Sequence, residues 1–275
     1  MNDKERIDIL LVEQGFFDSR EKAKAALMAG LVFAGTERIE KAGTKIPRLT
    51  AITVKGAIHP YVSRGGLKLE KALKYFGIDV HGAVMLDIGA STGGFTDCAL
   101  QNGAAHVYAV DVGYNQLDWS IRSDARVTVM ERINFRYLKK EELPGSDLPN
   151  FATIDVSFIS LKLILPPLAE ILLHDGEVVA LIKPQFEAGR EKVGKSGVIR
   201  DSAVHREVLH TVLSFAASSG FHLLGLTFSP ITGGEGNIEF LAHWKLAGLP
   251  EQLDESTLNE RIAQVVSAAT VSFSS

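Results

Sequence analysis

Cysteine is nearly absent from this 275-residue chain, which has one, Cys98. A lone thiol excludes an intramolecular disulfide and a cysteine-based zinc cluster, and no metal site is expected. Long apolar runs are missing too. The best candidate, Leu161 to Leu173, is broken by Lys162, Pro166, Pro167 and Glu170, far from the roughly 20 apolar residues a bilayer demands. Charge begins at Asp3, where a signal peptide would place an apolar core, so cytoplasm is the expected compartment, without membrane association. No internal repeat or low-complexity tract is visible. Nor does a strong excess of one charge advertise a nucleic-acid partner: the net charge is −4. The distribution is uneven, however. Up to Pro60, ten basic residues face eight acidic ones, and the excess continues through Arg64, Lys68, Lys71 and Lys74.

What the chain does have is Val84-Met85-Leu86-Asp87-Ile88-Gly89-Ala90-Ser91-Thr92-Gly93-Gly94-Phe95-Thr96-Asp97. An apolar run ends in an acid, a glycine-rich turn follows, and Thr96 to Leu100 can open a helix. Strand, tight loop and helix N-terminus make the first unit of a doubly wound α/β sheet. Glycines let the backbone approach a ligand, and the helix end offers unpaired N–H groups. The glycines do not fall as G-x-G-x-x-G, and Asp87 would repel phosphate, so a ligand with a cationic centre suits the loop better than a dinucleotide. Asp-x-Gly-x-x-x-Gly-Gly resembles the S-adenosylmethionine loop of class I methyltransferases. That resemblance assigns Asp87, Gly89, Ser91, Gly93, Gly94 and Phe95 to the cofactor. A second strand, His106 to Val110, ends in Asp111, placed for ribose hydroxyls, and Arg132-Ile133-Asn134 after a third strand (Arg126 to Met130) would lie near the adenine edge.

Further strands read at Phe151–Asp155 and Glu177–Lys183, with a helix at Leu161–Leu173 between them. A helix from about Ala203 to Ser219, a closing pair at His222–Phe228 and Asn237–Trp244, and a terminal helix at Leu253–Ala268 complete the pattern. The expected fold is α/β: a Rossmann-like, seven-stranded sheet of the class I methyltransferase type, mostly parallel with an antiparallel last strand. A small α+β module precedes it. In residues 1–60, Ile7, Leu10 and Leu11 mark a helix stopped at Gln14-Gly15. Ser19 caps a second, Arg20 to Ala29, closed by Gly30, and short strands follow at Leu31–Ala34 and Ala51–Val54. Arg6-x-Asp8, Ser19-Arg20-x-x-Ala23 and Ala29-Gly30-x-Val32 resemble the small RNA-binding module named after ribosomal protein S-four. The resemblance places Arg20, Lys22 and Lys24, with Arg6, on RNA phosphates; a solvated helix face is the bland alternative. Residues 55–63, with Gly56 and Pro60, read as a linker to a second domain over 61–275. Arg64 is a further candidate RNA contact, and the loop Arg190 to Lys195, with Lys192 and Lys195 among glycines, is a second candidate RNA surface.

The acceptor class is narrowed by two further absences. The fourth strand ends Asp155-Val156-Ser157-Phe158, without the Asp/Asn-Pro-Pro-Tyr that accepts from exocyclic base amines. Cys98 is in the wrong helix for attack on a base carbon. An oxygen acceptor remains. Methylating an alcohol needs a base, and a lysine can serve if burial or a second cation lowers its pKa. Candidates stand at strand ends: Asp155, Lys183 after Val178-Val179-Ala180-Leu181-Ile182, Glu239 on the last strand, and Lys68 on the helix (about Leu67 to Phe76) before the first. The order Lys68–Asp155–Lys183–Glu239 is similar to the tetrad of FtsJ-like ribose 2′-O-methyltransferases. With Tyr61-Val62-Ser63-Arg64-Gly65-Gly66 and Lys183-Pro184-Gln185-Phe186-Glu187, nearly the whole chain resembles the TlyA (haemolysin A) family. The resemblance implies 2′-O-methylation of cytidine ribose in ribosomal RNA, on assembled subunits. The rivals are a membrane-lytic protein, which would need an amphipathic or spanning basic segment, a nucleotide-dependent oxidoreductase, and a catalytically silent RNA-binding protein.

Overall fold

A computed structural model describes residues 4–17, 19–28, 30–54, 59–194, 197–247 and 254–274. The chain divides into two compact units, Met1–Pro60 and Tyr61–Ser275. The N-terminal unit runs β1 (Lys4–Arg6), α1 (Ile7–Glu13), α2 (Arg20–Met28), β2 (Val32–Ala34), β3 (Glu37–Arg38), β4 (Lys45–Pro47) and β5 (Ile52–Val54). Its strands form an antiparallel sheet in the order β3-β2-β5 and a separate β1-β4 pair. Ile7, Leu10 and Leu11 recur at helical spacing, as do Ala23, Ala26 and Leu27. The two faces close on Val32, Ile39, Ile46 and Ile52 to make the unit's core. Gly15, at φ 75°, ends the first helix as expected. Residues 55–58 of the expected linker lie outside the described residues.

The C-terminal unit begins with α3 (Gly65–Phe76) and continues through β6 (Val84–Ile88), α4 (Gly94–Gln101), β7 (His106–Asp111), α5 (Trp119–Arg122), β8 (Val127–Glu131) and β9 (Phe151–Ile154). It ends with α6 (Leu165–Ile171), β10 (Glu177–Ile182), α7 (Pro184–Glu187), α8 (Ser202–Ser218), β11 (Phe221–Phe228), β12 (Phe240–Leu246) and α9 (Glu255–Phe273). The seven-stranded sheet has the order β11-β12-β10-β9-β6-β7-β8. Pairing is parallel from β10 to β8, and β12 enters antiparallel between β10 and β11. The strands read as apolar runs because both sheet faces are covered. Leu86, Ile88, Val178, Ala180 and Ile182 join the core on one face with α8, while Met85, Val179 and Leu181 join α3 and α4 on the other.

Two expectations are corrected. The Leu161–Leu173 segment is not one helix. A single 3₁₀ turn over Leu161–Leu163 leads into α6, whose first turn carries Pro166 and Pro167. Proline has no N–H to donate to a preceding turn, so the α-helix starts there. Glu239 is not on the last strand, which starts at Phe240; it sits in the connection just before it. Among the described residues no helix is long and apolar enough to cross a membrane.

Candidate active site

The parallel strands deliver their chain ends to one rim, and the four expected catalytic residues meet there. Lys68, in the first turns of α3, places Nζ 2.7 Å from Glu239 Oε2 and 3.6 Å from Asp155 Oδ2. Lys183, directly after β10, places Nζ 2.6 Å from Asp155 Oδ1 and donates to Ser157 Oγ at 3.0 Å. The Lys68, Lys183 and Glu239 side chains are 8%, 10% and 3% exposed, so two ammonium groups are removed from water on two carboxylates. Such a pair is tolerable only because the charges balance. Burial pushes the Asp155 carboxyl up, but Lys68 and Lys183 outweigh it and hold it below its ordinary value.

Two cavities meet at these lysines. The smaller, about 290 Å³, is lined by Gly89, Ala90, Ser91, Gly94 and Phe95 on the glycine-loop side. The larger, about 450 Å³, is lined by Phe158, Gln185, Phe186, Val193 and the Gly233–Glu235 turn. Arg64, Lys68, Ser157 and Lys183 line both, and so form the waist between them. The loop is shaped by close approach. Gly89, at φ 86°, could not carry a side chain, since a Cβ would stand 2.6 Å from the Asp155 carbonyl oxygen. A Cβ on Gly94 would stand 2.3 Å from Ser63 Oγ, so α4 starts hard against the segment that opens α3.

Of the expected cofactor residues, Gly89, Ser91, Gly94 and Phe95 therefore line the smaller cavity. The others act around it. Gly93 is the left-handed residue that starts α4. Asp87 is fully buried, with Oδ2 accepting from Thr96 Oγ1 at 2.6 Å and Oδ1 from Thr153 Oγ1 at 2.8 Å. It pins the loop from beneath, and burial pushes its carboxyl up to about 6 against those two hydroxyls. Asp111 accepts from the Ser91 and Gly113 amides at 2.8 and 2.7 Å and so ties the loop to β7. Arg132 and Ile133 hydrogen-bond through their amides to Gly113 and Asp111, Arg132 lays its guanidinium 4.0 Å from the Tyr114 ring, and Asn134 caps the next turn. None of these three lines either cavity.

The expected RNA residues separate as well. Arg64 is at the waist. Arg6 and Arg20 converge on one carboxylate: Arg6 Nε lies 3.0 Å from Asp8 Oδ1 and Arg20 Nη2 lies 2.7 Å from Oδ2. Lys22 and Lys24 are exposed on α2. Lys192 pairs with Glu207, and Lys195 lies outside the described residues. Two residues stand out at the site that sequence reading did not assign. Phe158 is 91% exposed, at φ 63°, with its ring 4.9 Å from that of Phe186. Asn237, buried before β12, accepts from the Ile199 amide and donates to the Gly197 carbonyl, both at 2.9 Å, and so fixes one wall of the larger cavity. Phe158's signal was readable as an aromatic in a strand-end loop; Asn237's was not, since its partners are about forty residues away.

The sheet order and the lysine waist beside a glycine loop define a class: a Rossmann-like methyltransferase. The comparisons with known proteins agree. The FtsJ-like methyltransferase model matches residues 61–246. The chain is 57% identical over 266 residues to YqxC of Bacillus subtilis, named as a candidate rRNA methyltransferase, covering 97% of this chain and 94% of that one. It is 40% identical over 263 residues to TlyA of Mycobacterium tuberculosis, named a 16S/23S rRNA (cytidine-2′-O)-methyltransferase, covering 95% and 97%. A solved structure from Streptococcus thermophilus, described as a candidate hemolysin, matches with a TM-score of 0.75 at 54% identity and covers 96% of each chain. The chain belongs to the FtsJ-like methyltransferase family and, within it, to the TlyA (haemolysin A) group.

Proposed function

We propose that this protein transfers a methyl group from S-adenosylmethionine to the ribose 2′-hydroxyl of cytidine in ribosomal RNA, acting on assembled ribosomal subunits. One observation carries the reading: two buried lysines share Asp155 where a glycine-lined cavity meets a larger one with an exposed aromatic. The residues fit the cofactor. Gly89, Ser91, Gly94 and Phe95 line the smaller cavity, Gly89 and Gly94 let the loop pack closely against Asp155 and Ser63 beside it, and the start of α4 offers N–H groups to a carboxylate. Each Asp111 oxygen keeps a second lone pair for a ribose hydroxyl. When bound, S-adenosylmethionine supplies a methyl group activated by a sulfonium centre. The protein's part is to hold the acceptor and manage its proton.

An alcohol ionises far above neutral pH, so attack needs a base at the moment of transfer. Lys183, in its neutral form, accepts the 2′-hydroxyl proton as the oxygen bonds to the methyl carbon and the carbon–sulfur electron pair stays on sulfur. Lys68, held by Glu239 and Asp155, keeps a positive charge beside the developing alkoxide. Phe158 offers an exposed ring for the acceptor base, the usual platform for an unstacked nucleotide. Arg6, Arg20, Lys22 and Lys24 supply phosphate contacts from the N-terminal unit. The test is to map ribose 2′-O-methylation across ribosomal RNA after incubating unmodified subunits with the full chain and S-adenosylmethionine. New methylation confined to cytidine riboses is expected. Methylation on bases, or none with any subunit, overturns the reading.

A further inference from the structure

We propose that Ser157 is a positioning residue for Lys183, fixing the direction in which its amine presents a lone pair. The inference rests on Lys183 being the base. A neutral amine carries two N–H groups and one lone pair in a roughly tetrahedral arrangement. Lys183 Nζ has two polar neighbours in one short loop: it is ion-paired with Asp155 Oδ1 at 2.6 Å and donates to Ser157 Oγ at 3.0 Å. With one N–H given to Ser157 and the Asp155 charge drawing the other, the lone pair takes the one position left. The space beside that position is the waist, because Lys183 and Ser157 line both cavities. Asp155 alone would leave the amine free to rotate about the Cε–Nζ bond, with the lone pair spread over two positions.

The geometry of the loop supports a dedicated role. Ser157 is exposed and makes no part of either sheet core, so its hydroxyl is not needed for packing. The next residue, Phe158, has φ 63°, a left-handed conformation that non-glycine residues adopt at some cost. The chain turns sharply just after Ser157, with Asp155 and Ser157 both directed to one ammonium. The charged and polar groups in contact with Lys183 are Asp155 and Ser157 from this loop; Lys68 on α3, with its partner Glu239, is linked to it through Asp155, and Gln185 and Glu235 line the same larger cavity. The Phe186 ring on α7 lies 5.9 Å away, and Arg64 shares the waist.

The alternative polarity has a different consequence. If Ser157 donated its own O–H to the Lys183 lone pair, it would block the base, and its removal would speed transfer. As an acceptor, it stabilises the ammonium more than the amine. Removing it then moves the pH midpoint of the rate downward while lowering the plateau, because the lone pair is less well aimed. Angular freedom costs at least a factor of two, and a displacement near 1 Å can cost 10², so a plateau loss of about tenfold is expected.

The experiment is single-turnover methylation of ribosomal subunits against pH, using the full-length wild type and the Ser157→Ala, Ser157→Thr and Lys183→Ala variants. S-adenosylmethionine is saturating and RNA binding is measured separately. Ser157→Ala should lose about tenfold at the plateau and titrate at lower pH. Ser157→Thr, which keeps the hydroxyl, should stay within about twofold of wild type on both counts. A purely structural serine would leave the midpoint in place. A plateau for Ser157→Ala equal to or above wild type, or an unmoved midpoint, overturns the inference while an inactive Lys183→Ala leaves the underlying reading intact. A Lys183→Ala variant as fast as wild type overturns the reading and the inference with it.

Discussion

In the N-terminal unit the buried Asp8 carboxylate accepts from Arg6 and Arg20; in the methyltransferase unit the Asp155 carboxylate is ion-paired with both Lys183 and Lys68. The plan is the same, one carboxylate between two cations, but the cations differ in exposure and type. The arginine side chains are 39% and 46% exposed, the lysines 8% and 10%. A guanidinium has five donors in a rigid fork and does not deprotonate, so one anchored on Asp8 still faces water with donors to spare and can only bind. A buried ammonium can lose its proton, so the lysine cluster can do acid–base work. Asp87 is a buried carboxylate of another kind, with two threonine hydroxyls and, among the described residues, no paired cation. The partners set the charge. Hydrogen bonds from Arg6 and Arg20 hold Asp8 at about 2 against the effect of burial, while burial lifts Asp87 to about 6.

The sharpest way to break this contrast is to put the first cluster's cation into the second. Lys183→Arg keeps the positive charge beside Asp155 but removes the base. Proton transfer by a positioned group contributes roughly 10²–10⁴-fold, and Lys183→Arg should lose a factor of that order in single-turnover methylation, no better than Lys183→Ala. A near-wild-type rate would mean that the lysine only orients substrate and that the two clusters differ in degree.

Asp87 tests the claim that cations, not burial, decide a carboxylate's charge here. Its folded value lies above the unfolded one, so its contribution to stability is full below about pH 4 and is lost as pH rises through about 6. A rise of that size corresponds to roughly 3 kcal/mol. The difference in unfolding free energy between wild type and Asp87→Asn should shift by about that much between pH 4 and pH 7, in favour of the variant at the higher pH. A difference independent of pH in denaturant titrations would show that the two hydroxyls suffice to keep the group ionised.

These clusters also show what a sequence can reveal. Asp155 and Lys183 were legible because each directly follows an apolar run, and a doubly wound sheet brings those ends together; Lys68, on a helix, and Glu239, just before β12, were legible through the order of the four residues. The strand pattern was legible for a related reason: with both faces covered, strands such as Val178–Ile182 are continuous apolar runs. The two- and three-residue strands β1, β3 and β4 carry no period to read; Lys4 pairs with Pro47 across most of the unit. Which side of a loop an acid faces is equally invisible. Asp87 lies one residue before the strand's last position, and only its burial shows that it works from below. Ser157 and Asn237 act on partners 26 and 38 residues away, and no local pattern encodes such a pairing. Asp8 was read as part of a motif, but not as the anchor for two cations.

For the exposed cluster the expected effect is on binding and its salt dependence. Each phosphate contact contributes about 0.9 to the log–log slope of affinity against salt on duplex. Replacing Arg20, Lys22 and Lys24 with alanine should flatten the slope of ribosomal RNA binding by two to three units and leave S-adenosylmethionine binding unchanged. An unchanged slope would reduce this cluster to solvated charge.

The smallest effect carries the most discriminating sign. Asp8→Asn removes a negative charge from the proposed RNA surface. If that surface were only a sum of charges, RNA affinity would rise. If Asp8 organises the two guanidinium groups, affinity should fall, because Asn offers one carbonyl oxygen and an amide NH2 that repels donors where the carboxylate accepted from both forks. A fall of about threefold is expected, with a salt slope flatter by less than one unit, since the arginines remain present but unaligned. Wild-type binding should show no pH dependence from this group between pH 5 and 8. A depressed carboxylate contributes its stability above the unfolded value near 4 and loses it only as pH falls through about 2. The measurement is equilibrium binding of a ribosomal RNA fragment at several salt concentrations, with circular dichroism and S-adenosylmethionine binding confirming that both units remain folded. A rise in affinity would show that Arg6 and Arg20 act as independent charges, and the shared plan of the two clusters would then be coincidence.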